Sequence, residues 1–169
     1  MVPVRPLALA VCALACLSAP EAQPLEWATL SQAPTLSTLD WRPLPEALAL
    51  AQASDVPTLI YVQAAWCGPC RRLERDTFAD TNVQARLARF ALAQLTFDDR
   101  DRQHRIGPYR RSEAEWARRF GASATPTLVL LSPDGSVLGR HTGFLPPEGL
   151  LPILDAALAA PTQSHSLNG

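Results

Sequence analysis

Apolar positions fall into blocks of differing period along the chain. Residues 7–17, LALAVCALACL, are apolar without a break. The stretch PEALALAQA at 45–53 reads as a short helix, which Asp55-Val56-Pro57 ends. TLIYVQA at 58–64 is β-branched and aromatic, of the length and character of a buried central strand. Leu73 and Phe78 continue at helical spacing, and Asp80 is placed to cap a helix that puts Val83, Leu87 and Phe90 on one face. ALAQLTF at 91–97 reads as the next strand.

The polar stretch 98–111, DDRDRQHRIGPYRR, breaks the periodicity and reads as a loop. Ser112 and Glu115 form a capping box for a helix to Phe120, with Gly121 where a left-handed cap belongs. TLVLLS at 127–132 is a second near-continuous apolar strand, and Pro133-Asp134-Gly135 turns the chain into an antiparallel SVLGRH. Pro146-Pro147 opens a last helix, which Pro152 is expected to kink or to shift in its start. Helical crossovers between early strands and a tight turn late predict an α/β fold with a mixed sheet around one core.

The ends differ from this body. One cation at Arg5, the apolar run of residues 7–17 and then small and polar residues match an export signal over 1–22; the run is too short to span a bilayer. Ala13-Leu14-Ala15-Cys16 is an imperfect lipoprotein box that would leave a lipid anchor on Cys16. In the alternative reading, Cys12 and Cys16 are small residues of a discarded peptide. Residues 23–43 read as a Pro-rich arm, 44–160 as the domain and 161–169 as a polar tail.

Composition changes the picture little. With 47% hydrophobic residues, 18% charged residues and a net charge of −1, the chain is neither disordered in the main nor built to hold nucleic acid. Cysteine usage changes it more. Beyond the leader only Cys67 and Cys70 remain, in AAWCGPCRRLE. One Cys pair with His104, His141 and His165 scattered lacks the four ligands of a structural zinc. A disulfide across so short a loop removes little chain entropy, so a redox pair fits better than a staple.

Trp66-Cys67-Gly68-Pro69-Cys70 at a strand-to-helix junction, with Ala124-Thr125-Pro126-Thr127 before a later strand, resembles the thioredoxin superfamily over about residues 44–160. The approach to the motif, with Leu73, Glu74, Phe78, Asp80, Val83 and the GFLPPEGLLPIL segment, is similar to exported members. Among these are the C-terminal domains of membrane thiol electron transporters and the thioredoxins of sulfur oxidation or cytochrome maturation. The resemblance implies a thioredoxin fold, with an inserted loop before the helix that precedes a cis Pro126. It also implies catalysis by Cys67 and Cys70 with no cofactor beyond their redox-active disulfide.

Trp66, Gly68, Pro69, Thr125 and Pro126 would then face the substrate, a protein disulfide. Cys67 is expected to be the exposed, ionised attacking sulfur at a helix N-terminus, and Cys70 the inward, resolving one. Trp66 is either an apolar shoulder beside the thiol or a core residue. Arg71 and Arg72 either strengthen the field at the sulfur or are solvated. Gly-Pro between the cysteines is similar to reducing members, which implies a reductase recharged by a membrane thiol transporter. A thiol oxidase or isomerase and a non-catalytic binding module are the rivals. Two features depart from the family: Tyr61 stands where it often has a buried acid, and the 98–111 stretch is extra. That stretch, with Arg100, Arg102, Arg105, Arg110 and Arg111 nearly balanced by Asp98, Asp99 and Asp101, reads as a solvated insertion rather than a site for an acidic partner.

Overall fold

A computed structural model describes residues 39–160. The expected export signal, the Cys16 box, most of the arm and the tail lie outside the described residues. Within them a five-stranded sheet runs in the order β1 (Trp41–Arg42), β3 (Ala91–Thr96), β2 (Thr58–Gln63), β6 (Thr127–Leu131), β7 (Val137–Thr142). β1, β3 and β2 are mutually parallel, and β6 runs antiparallel to both of its neighbours, β2 and β7, so the sheet is mixed, as the connections predicted.

Alternation along the strands divides the core in two. Leu59, Tyr61, Leu92, Leu128 and Leu130 face a helical layer that supplies Leu73, Phe78, Val83, Leu87, Leu150 and Leu154. These come from the helix α2 (Gly68–Arg72) with its continuation, and from α3 (Thr81–Leu87) and α5 (Pro147–Ala159). Ile60, Val62, Ala93, Leu95, Val129 and Leu131 belong to a second cluster. There α1 (Leu44–Ser54) contributes Leu44, Ala47 and Ala51, and α4 (Glu113–Arg119) contributes Trp116 and Ala117. β2, β3 and β6 are buried at nearly every position because both of their faces are covered.

Local signals placed most boundaries. Asp80 accepts from the N–H groups of Asn82 and Val83, at 2.9 and 3.0 Å, to start α3. The Ser112–Glu115 box starts α4, and Gly121 follows it at φ 78°. Pro152 neither shifts nor interrupts α5, which begins at Pro147 and is helical on both sides of it.

Three expectations need correcting. The arm is not wholly outside the fold: its end supplies β1, which pairs Trp41 and Arg42 with Leu92 and Ala93. The segment after α2 is not a plain α-helix. Leu73–Thr77 form a π turn closed by the Phe78 N–H on the Leu73 carbonyl at 2.9 Å, which lets Leu73, Thr77 and Phe78 all be buried. Third, the stretch 98–111 is not an unstructured loop. It contains a hairpin, β4 (Gln103–Ile106) with β5 (Tyr109–Ser112), turning at Gly107 with φ 55°.

One buried carboxylate explains why that polar hairpin is ordered. Where β1 ends, the Thr96 N–H on the open edge of β3 is taken by Glu113 Oε2 at 2.6 Å. The other oxygen of Glu113 lies 3.0 Å from His104 Nε2 and accepts from Arg102 Nη1 at 3.3 Å. Glu113 is 2% exposed, so these bonds replace the water it gave up. Trp116 Nε1 donates to the His104 carbonyl at 3.2 Å and fixes β4 to α4.

Candidate active site

The cysteines sit where β2 delivers the chain into α2. Cys67 is the N-cap residue and Pro69 lies in the first turn, where its missing N–H is not needed. The two sulfurs are bonded, with S–S 2.04 Å and Cα atoms 5.2 Å apart. The Cys70 N–H donates to Cys67 Sγ at 3.1 Å, so an otherwise unpaired helical donor faces that sulfur. The Thr125–Pro126 peptide is cis, as the resemblance implied, and the Gly143 N–H donates to the Pro126 carbonyl at 2.8 Å.

Exposure does not distinguish the two cysteines in this state. Cys67 is 2% exposed and Cys70 1%, contrary to the expectation of an exposed Cys67. Cys67, bonded to Cys70, belongs to the apolar cluster that includes Ala64, Tyr61, Leu73 and Phe78. What separates the two sulfurs is the backbone N–H that points at Cys67.

Trp66 is not a core residue. It is 65% exposed, and its Nε1 donates to Asp98 Oδ2 at 2.9 Å. Gly68 and Pro69 are exposed beside it, and Thr125 is half-buried. Of the two arginines, Arg71 donates to the Ala65 carbonyl at 3.1 Å, just ahead of the motif. Arg72 lies 4.1 Å over the Phe144 ring and pairs with Asp76.

Tyr61 is buried against Trp41 and Phe78, with ring centroids 5.7 and 5.3 Å away. Its hydroxyl donates to Glu74 Oε1 at 3.0 Å. Burial, then the Glu74 charge, pushes the phenol well above its ordinary range, so it stays protonated. Sequence reasoning missed two partners here, Glu74 and Asp98. Glu74 follows Cys70 by four residues, the helical spacing that shares a face, and that signal was available. Asp98 belonged to a mixed-charge run, and nothing local linked it to Trp66. Among the described residues no group of three or more His, Cys, Asp or Glu is gathered to hold a metal.

A thioredoxin-like domain model matches residues 44–158, and the chain belongs to that family of oxidoreductases, with Cys67 and Cys70 as its Cys-x-x-Cys disulfide. The thiol:disulfide interchange protein DsbD of Yersinia pestis is 30% identical over 105 residues, covering 60% of this chain and 16% of that protein. DsbD 1 of Pseudomonas aeruginosa is 31% identical over 133 residues, covering 79% of this chain and 19% of the relative. The chain thus spans less than a fifth of the length of these curated relatives. Among solved structures, a thioredoxin from Thermus thermophilus is 31% identical with a TM-score of 0.60, over 72% of this chain and 88% of that one.

Proposed function

We propose that the chain is an exported thiol–disulfide oxidoreductase that works as a reductant of protein disulfides, with Cys67 as nucleophile and Cys70 as resolving thiol. The observation that carries the reading is the Cys67–Cys70 disulfide at the start of α2, with the Cys70 N–H aimed at Cys67 Sγ. That donor and the helix end favour a thiolate at Cys67 over one at Cys70 once the bond is reduced.

In the reductive half, the Cys67 thiolate attacks a substrate disulfide, forms a mixed disulfide and expels one substrate thiolate. Cys70 then gives up its proton, attacks Cys67 Sγ and releases the second substrate thiol. Two electrons pass to the substrate and the Cys67–Cys70 bond is restored. Trp66, Gly68, Pro69, Thr125 and Pro126 surround the point of attack, with the Thr125 backbone offered to an extended substrate segment. The likeness to DsbD proteins and the leader-like residues 1–22 support export to the periplasm and recharging by a membrane thiol electron transporter.

A Cys70→Ser variant tests this. Expressed in its host, it should accumulate mixed disulfides through Cys67 that dithiothreitol releases, and mass spectrometry would identify the captured proteins. No thiol-sensitive adduct at Cys67 would sink the enzyme reading. Equilibration of the wild type with glutathione buffers tests direction: a strongly oxidising potential would reverse the assignment as reductant.

A further inference from the structure

On the opposite face of the sheet from the disulfide, the inserted hairpin forms one wall of a cleft of about 530 Å³. The other walls come from α4, α1 and the turn between β6 and β7. Alternation along the hairpin points Ile106, Tyr109 and Arg111 into it, across from Trp116, Arg119 and Phe120. Its volume lies in the range of small-molecule sites, and it shares no residue with the cluster around the cysteines.

Two features of this cleft bear on what it could hold. Arg111 is half-buried, with its guanidinium 5.5 Å from the Tyr109 ring centre and 5.8 Å from that of Trp116. Neither it nor Arg119 forms an ion pair with any described residue. The nearby acids have hydrogen bonds of their own. Glu115 takes the Ser112 N–H at 2.8 Å and its hydroxyl at 3.0 Å, and feels Arg111 and Arg118 only through space. Asp134 accepts from the Ser136 N–H at 2.9 Å and from the Ser132 hydroxyl. Second, Trp116 and Phe120, stacked with ring centroids 6.0 Å apart and an interplanar angle of 28°, line the cleft together with these two cations.

A partly desolvated guanidinium is stabilised by aromatic faces but retains its demand for an anion. We propose that this cleft binds a small aromatic acid, its ring against Trp116 and Phe120 and its carboxylate between Arg111 and Arg119. The charge of the cleft is complementary to such a ligand, and the site operates apart from disulfide exchange.

Calorimetric titration of the full-length oxidised protein with 2-naphthoate, and with the neutral 2-naphthylmethanol, tests the assignment. One equivalent of naphthoate should bind, about tenfold or more tighter than the alcohol. The Arg111→Gln and Arg119→Gln variants, checked for folding by circular dichroism, should each bring the two ligands closer in affinity. Arg119 is exposed, so its variant tests the charge even if Arg111→Gln perturbs the hairpin. Three results would each overturn the proposal: no saturable binding at millimolar naphthoate, equal affinity for acid and alcohol, or unchanged selectivity in folded Arg119→Gln.

Discussion

Two segments leave neighbouring strands at the same end of the sheet and are held by different physics. The redox junction follows Gln63 of β2, and the hairpin insertion follows Thr96 of β3, its register partner. The junction is held by apolar burial: Tyr61, Phe78 and Trp41 pack ring against ring, with Leu73 fully enclosed behind them. The hairpin is held mainly by polar bonds: those of Glu113 with a backbone donor, an imidazole and a guanidinium, and that of the Trp116 indole on the His104 carbonyl. Apolar burial tolerates rearrangement of its parts, whereas a buried carboxylate fails as soon as its donors move. The junction is therefore the rigid half of this end of the molecule, and the hairpin the half that one substitution can release.

The largest expected effect tests the apolar half. Phe78 is 2% exposed and touches both other rings, so Phe78→Ala should cost about 4 kcal/mol, read as a lower urea midpoint at an unchanged slope. Glu113→Ala comes next. It orphans the Thr96 N–H and leaves His104 and Arg102 without their acceptor, for about 3 kcal/mol. Hydrogen exchange should then show the hairpin amides opening before those of β2. If the amides of β2 and the hairpin open together, or Glu113→Ala costs more than Phe78→Ala, the contrast between the two segments is wrong.

The same difference decided what could be read from the sequence. β2, α3, α4 and the β6–β7 turn were legible because each carries its own signal: an apolar run, the Asp80 cap, the Ser112–Glu115 box, the Pro133-Asp134-Gly135 turn. The hairpin carried only the Gly107-Pro108 turn, with no apolar alternation on either side of it. Its outward positions put Arg105 directly opposite Arg110, a like-charge pair that argues against a strand, and its order depends on Glu113, which lies beyond it in the chain. β1 was missed because two residues are too few for a period. The Cys67–Cys70 pairing and the cis Pro126 followed from the motifs. The enclosure of Cys67 did not, because it is a property of a core cluster assembled from several parts of the chain.

The smallest effect sharpens the contrast within the junction, where the Tyr61 hydroxyl holds a partly buried polar bond to Glu74. Tyr61→Phe keeps the ring and removes only the hydroxyl from Glu74, which is half-buried and can take water instead. At neutral pH the cost should be about 1 kcal/mol. The sign changes with alkali. The folded phenol titrates above its ordinary value of 10.0, because burial and the Glu74 charge both oppose the phenolate. Its contribution to stability is fully present below pH 10 and is lost as pH climbs from there toward the folded value, since only the unfolded chain ionises freely. Phenylalanine has no proton to lose, so the gap between variant and wild type should shrink between pH 9 and about pH 11. Urea unfolding of both oxidised proteins at the two pH values measures it. A gap that stays constant would mean that Tyr61 ionises as easily in the fold as outside it, and that water reaches the junction.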